Sequence, residues 1–150
     1  MVKVFSHPVQ AHEKHALWDN LPMDLLLEIL MVGAGGFLGA SGRYLTGKMV
    51  NHLLPATQLP WGTIAVNIIG CFVIGFITGL YIFKEGMNPY LKLFVLVGIL
   101  GGYTTFSTFS METLELLKNG YTLRATLNLG VTFCLTLAAV GIGFHVASMD

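Results

Sequence analysis

Residues Gly101, Gly102, Tyr103, Thr104, Thr105, Phe106, Ser107, Thr108, Phe109 and Ser110 bring a glycine pair, a cluster of hydroxyls and two phenyl rings into an uncharged stretch covering residues 93–111. Thr113 adds a hydroxyl just beyond it. About 20 apolar residues suffice to cross the hydrocarbon core of a bilayer, so the stretch is long enough to span. Its middle, however, is built to bend and to offer polar atoms. Irregular backbone persists at membrane depth only where protein or an ion satisfies it. The chemistry is therefore that of an ion pathway through a broken transmembrane helix, where unwound carbonyls hold ions. Phe106 and Phe109 are three apart on one helical face, and a phenyl ring carries a positive edge. With donor hydroxyls on Thr105, Ser107, Thr108 and Ser110, they form a wall suited to a small, hard anion that sheds water at successive weak sites. Core packing alone also accounts for two phenylalanines at that spacing.

Polar residues in the other apolar runs extend the pattern. Thr63 and Asn67 are four apart on one face, Thr132 and Thr136 repeat the spacing, and Asn128 adds one more turn to that stripe. Threonines satisfy themselves on the backbone or hydrogen-bond between helices. An amide among Val66, Ile68 and Ile69 is costly in lipid, so Asn67 must face the bundle interior, a cavity or a passing ion. Arg43, near a membrane end, either draws anions into a vestibule or snorkels as a positive anchor. Glu112 and Glu115 follow the hydroxyl-rich stretch, and solvation at the interface accounts fully for Glu115 but only in part for Glu112.

These residues need membrane-spanning helices to position them. Of the 150 residues, 54% are hydrophobic and 11% charged, against about 25% charged in soluble domains. Residues 61–83, 93–111 and 125–149 are uncharged runs of spanning length. A fourth run, 25–45, contains Glu28 and Arg43, which leave only residues 29–42 uncharged, so one or both charges must snorkel or sit in a wet vestibule. The expectation is an all-α membrane protein with four transmembrane helices, the third broken in mid-membrane. Residues 1–24 form a polar tail and residues 25–150 one four-helix domain.

Other features bear on assembly. Gly35 with Gly39, Gly75 with Gly79, and Gly98 with Gly102 share the four-residue spacing that lets helices approach closely. Lys118-Asn119-Gly120 and the segment from Lys84 to Pro89 read as tight turns, and Pro55 and Pro60 bracket a loop before the interfacial Trp61. If the spans alternate, Lys3, Lys14, Lys84 and Lys92 lie on one side and Arg43, Lys48, Lys118 and Arg124 on the other. That balance gives the positive-inside rule nothing to act on. Insertion in both orientations is expected, with two opposed copies pairing as an antiparallel dimer; the alternative discounts the distant Lys3 and Lys14 and leaves a small bias. His7, His12 and His15 read as a solvated tail rather than a metal site, and Trp18 as an interface anchor. No secretory signal is evident in the tail. Cys71 and Cys134 read as small packing residues, and zero net charge gives no reason to expect a nucleic-acid partner.

The block from Gly101 to Thr113 closely resembles the third-helix signature of the small fluoride channels, the CrcB/Fluc family. Gly62-Thr63-Ile64-Ala65-Val66-Asn67 resembles that family's Gly-Thr-x-x-x-Asn motif, and Gly39-Ala40-Ser41-Gly42-Arg43 resembles the end of its first helix. The resemblance runs from about Gly33 to Gly143. It implies a dual-topology dimer in the inner cell membrane that exports fluoride through two antiparallel pores around a central structural sodium ion. The sodium ligands it implies are the backbone carbonyls of Gly101 and Thr104. Phe106 and Phe109 would be the pore phenylalanines and Asn67 the pore amide, with Thr63, Thr132 and Thr136 as a polar track. Thr132 and Thr136 stand where serines are common, Val140 where some members keep a hydroxyl, and Asn128 where others carry an aromatic or histidine. The tail is longer than the family needs. The partner copy is an identical chain or a paralogue.

Two other functions compete. A proton-coupled small multidrug transporter is also built of four short helices, but it requires a membrane-central carboxylate in the first span, and Glu28 lies too near the helix start. An anchor or assembly protein leaves Asn67 and the hydroxyl-rich helix unexplained. Short loops leave no room for a soluble enzyme domain.

Overall fold

A computed structural model describes residues 23–54, 59–83 and 88–149, with the backbone alone described for 81–83. Residues 1–22 of the polar tail (with its histidines and Trp18), Pro55, and residues 84–87 of the turn expected from Lys84 to Pro89 lie outside the described residues, whereas Met23 and Asp24 of the tail open the first helix.

Every described element is helical: α1 (Met23–Leu53), α2 (Trp61–Phe83), α3 (Pro89–Lys92), a π-helical stretch (Leu93–Leu100), α4 (Gly101–Tyr103), α5 (Phe106–Lys118) and α6 (Thr122–Ala147). α3 through α5 run on as one bent span, giving four spans long and apolar enough to cross a membrane. α2 has the bounds expected from hydropathy. α1 instead continues eight residues past Leu45. Arg43 and Lys48 do not end it, because long cationic side chains leave an intact helix toward polar surroundings.

Local signals fix the ends of the third span. Asn88 Oδ1 accepts from the Tyr90 N–H at 2.9 Å with Pro89 in the first turn, an N-terminal cap. At the far end Gly120 adopts φ +80. The Tyr121 N–H reaches the Leu116 carbonyl and the Gly120 N–H the Leu117 carbonyl, a Schellman closure. This is the turn expected at Lys118-Asn119-Gly120.

The spans pair in an interleaved way, α1 along the π-helical stretch and α4, and α2 along α6. Glycine makes both seams. A Cβ on Gly39 would strike the Ile99 carbonyl, and one on Gly143 the Phe72 carbonyl, so each pair of backbones sits closer than any side chain permits. The interior between the pairs is unusually polar. Asn67, Thr105, Thr113, Asn128 and Thr132 are buried, while Phe37, Leu123 and Phe133 point outward. That distribution suits a chain whose surroundings are apolar.

Candidate ion pathway

The expected break lies between Tyr103 and Phe106. Thr104 and Thr105 are both extended. The last helical bond before the break runs from the Thr104 N–H to the Leu100 carbonyl at 3.0 Å. The Thr105 N–H, which would ordinarily bond to Gly101, is taken by Asn67 Oδ1 at 2.9 Å, while Asn67 Nδ2 donates to the Thr105 carbonyl at 3.2 Å. One side-chain amide on α2 thus serves both backbone groups of Thr105 at the break. Gly70, one turn further along, makes room for this approach, since a Cβ there would collide with Thr104 Cγ2. The Thr105 hydroxyl accepts from the Thr108 N–H at 3.2 Å and restarts the chain as α5.

Two cavities meet at this break. One, of about 690 Å³, is lined by Asn67, Cys71, Thr104, Thr105, Phe106, Phe109, Thr132 and Thr136, with Leu129, Gly130 and Phe133. The other, of about 440 Å³, is lined by Ala40, Arg43, Tyr44, Gly47, Lys48, Asn51, Gly62, Thr63, Val66, Thr105 and Thr108. Thr105 belongs to both walls. The second cavity is cationic, and Arg43 Nη1 lies 3.4 Å from the Thr104 carbonyl. The first carries no charged side chain and is walled mainly by rings and aliphatic groups.

The sequence candidates divide between these spaces. Asn67, Thr104, Phe106, Phe109, Thr132 and Thr136 line the larger cavity, and Arg43, Thr63 and Thr108 the smaller. Thr63 and Asn67 share a helix face but serve opposite sides of the break. Ser107, Ser110 and Gly101 line neither cavity and are exposed on the chain surface. The two phenylalanines also differ: their centroids are 5.6 Å apart, yet Phe109 is 8% exposed and Phe106 79%.

Most hydroxyl protons at the larger cavity already have acceptors within the chain. Thr104 donates to the Leu100 carbonyl at 2.9 Å, Thr136 to the Thr132 carbonyl at 2.7 Å, and Thr132 to Asn128 Oδ1 at 3.4 Å. Any incoming hydrogen-bond acceptor would have to draw these rotors away from their resting acceptors.

Three further residues bear on the site: Glu112, half explained from sequence, Asn51, which sequence reasoning missed, and Cys71. Glu112 is half-buried; Oε1 accepts from the Thr63 hydroxyl at 2.8 Å, and Oε2 is buried with no hydrogen-bond partner. Its place one turn after Thr108 on the broken span was the available signal. Asn51 Oδ1 accepts from the Gly62 N–H at 3.0 Å, tying the end of α1 to the start of α2. Nothing in the local sequence marks Asn51, because the bond depends on how the two helices meet. Cys71, read as packing, lines the larger cavity.

Known proteins place this arrangement in context. The chain is 45% identical over 127 residues to a protein of Elusimicrobium minutum named fluoride-specific ion channel FluC, covering 85% of this chain and 98% of the relative. Proteins of the same name from Rhizobium meliloti (43%; 77% of this chain, 91% of the relative) and Campylobacter jejuni (42%; 81% and 98%) are similar over nearly the same length. These relatives are named as channels rather than enzymes, and four spans make this a multi-pass membrane protein. The family described as CrcB-like protein, Camphor Resistance (CrcB), matches residues 30–144, so the chain that folds around the Asn67–Thr105 break belongs to the CrcB family.

Proposed function

We propose that this protein is a fluoride-selective passive channel that exports fluoride from the cytoplasm across the inner cell membrane, as an antiparallel dimer with two pores. The observation that carries this reading is the break at Thr105, which stands in the wall of a cationic cavity on one side and a ring- and hydroxyl-lined cavity on the other. Arg43 and Lys48 raise the local anion concentration without binding tightly. Beyond the break an anion meets Asn67, whose second Nδ2 hydrogen is free of the Thr105 clamp, then the Phe106 and Phe109 edges and the rotors of Thr132 and Thr136. Weak sites in series allow entry and departure. No energy source is required. Hydrogen fluoride crosses membranes uncharged and ionises inside, and the membrane potential favours anion exit by about 2.3 kcal/mol per 100 mV.

The dimer has physical support. Phe106 belongs to the lining of the larger cavity yet is largely exposed in one chain, so a second copy would complete the wall. Either an identical chain or a paralogue could serve. The donor set at the break also fits a structural sodium ion. The Gly101 carbonyl is released from the helical ladder because the Thr105 N–H bonds to Asn67, and Gly101 is exposed. The Thr104 carbonyl has only the long contact to Arg43. Backbone oxygens suit a hard cation, and one chain supplies half a shell. Bound there, sodium would supply the charge that joins two breaks.

The test is release of fluoride, chloride and a cationic drug from liposomes carrying the purified protein. Fluoride release alone is expected; drug release driven by a proton gradient would overturn the reading in favour of a transporter. Among the described residues Asp24 and Glu28, the carboxylates of the first span, are both exposed and line neither cavity.

A further inference from the structure

We propose that Asn128 is a positioning residue for Phe109, acting through Thr113; this rests on the channel reading. Asn128 is 0% exposed. Its Nδ2 donates to the Thr113 hydroxyl at 2.8 Å, and Thr113 in turn donates to the Phe109 carbonyl at 2.8 Å. From the other side, the Thr132 hydroxyl donates to Asn128 Oδ1. One amide on α6 therefore ties down both walls of the larger cavity, Phe109 through its own helix and Thr132 directly.

The geometry of the bundle makes this tie consequential. α6 packs extensively along α2 but much less on α5. Among the described residues, the Asn128–Thr113 bond is the only side-chain hydrogen bond between α5 and α6. α5 is held to α2 by the Thr63–Glu112 bond and the Asn67–Thr105 clamp, but its thin contact with α6 leaves that side weakly fixed, and a roll of α5 would swing Phe109 across the cavity. The directional bond fixes that rotation, because Thr113 sits one turn from Phe109 on the same face. A buried amide costs more than a packed leucine unless its bonds are made, and here they are made to Thr132 in the cavity wall and to Thr113, which holds the Phe109 carbonyl.

The variants that test this are Asn128→Leu, which keeps volume and removes both bonds, Thr113→Val, the double variant, and Thr126→Val as a control on the exposed face of α6. All carry Cys134→Ser, so that alkylation of Cys71 reports on the same cavity independently of ion flux. Each single variant is expected to elute as the wild-type dimer, lower fluoride release about tenfold and change the Cys71 alkylation rate. The double variant should be no worse than the more severe single, because both substitutions cut one chain of bonds, while Thr126→Val leaves both readouts unchanged. Asn128→Asp adds a signature that packing would not give. Its neutral carboxyl can donate to Thr113 and its carboxylate cannot, so release relative to wild type should fall as the pH is raised. A folded Asn128→Leu with wild-type release and wild-type Cys71 reactivity would overturn the proposal, as would additive effects in the double variant. Should Asn128→Leu fail to fold, Thr113→Val and the pH profile of Asn128→Asp decide. If wild-type protein releases no fluoride, the channel reading fails, and the Cys71 rates alone decide the positioning role.

Discussion

Replacing Asn67 with leucine separates two roles for the same side chain. A pore amide serves a passing anion; a clamp holds the break whether or not an anion is present. The substitution keeps approximate volume and removes the bonds to the Thr105 N–H at 2.9 Å and to its carbonyl at 3.2 Å. Thr105 and Asn67 are each 7% exposed, so both backbone groups lose their partners in a dry setting. An orphaned buried polar group costs about 1–3 kcal/mol, placing the pair at about 2–6 kcal/mol. Water entering from the adjoining cavities should bring this to the lower part of that range, about 2–3 kcal/mol. The assay is thermal unfolding of the purified dimer in detergent beside fluoride release from liposomes. The clamp predicts a melting temperature lower by on the order of 10 °C together with lost release. Asn67→Asp keeps the acceptor for the Thr105 N–H and loses only the donor, so it should melt between wild type and Asn67→Leu. An Asn67→Leu dimer that melts with the wild type and still loses release would refute the clamp and leave the amide as a pore group alone.

Other expectations follow from the same geometry. Phe106→Leu and Phe109→Leu should both assemble as dimers, the second at a cost of less than about 1.5 kcal/mol, and both should lose most fluoride release; near-normal release from both would sink the ring-edge mechanism. A single cysteine at Asn119, on an exposed turn and in a background lacking Cys71 and Cys134, should be labelled from both sides of the membrane, whereas one-sided labelling would favour pairing with a paralogue. Thr104→Ser should retain dimer and release, since backbone ligation of sodium is indifferent to that side chain; a high-resolution density map of the dimer showing no ion between the breaks would remove the sodium proposal.

The sequence made the site legible where chemistry is carried by residue type at short range. The hydroxyl-rich block marked the break, Asn67 stood out as an amide among β-branched neighbours, and Gly120 announced its turn. What stayed hidden depends on the relation between distant helices. The Asn67 amide was legible as costly, but its bond to Thr105 is set by how α2 crosses the third span, helped by Gly70. The division of Thr63 and Asn67 between two cavities could not be read from a four-residue spacing that places them on one face. The π-helical course of Leu93–Leu100 has no local mark either, because a uniformly apolar run fits either pitch. Glu112 was only half explained by position, since its partner Thr63 lies 49 residues away.

The interleaved seams also bear on how the chain is made. Gly39 waits for the Ile99 carbonyl and Gly75 for the Val140 carbonyl, and each partner is synthesised some sixty residues later. At about 5–20 residues per second, that delay is on the order of 3–12 s. Throughout it the glycine grooves of the first two spans lack the backbones that fill them in the folded chain. Assembly of the chain is thus staggered, the first seam closing only when the third span arrives and the second only when the fourth does. A chain terminated after Asn88 should be cleared in a pulse-chase experiment on a timescale over which the full chain persists; equal persistence of the fragment would show that the first two spans have found another way to close their grooves.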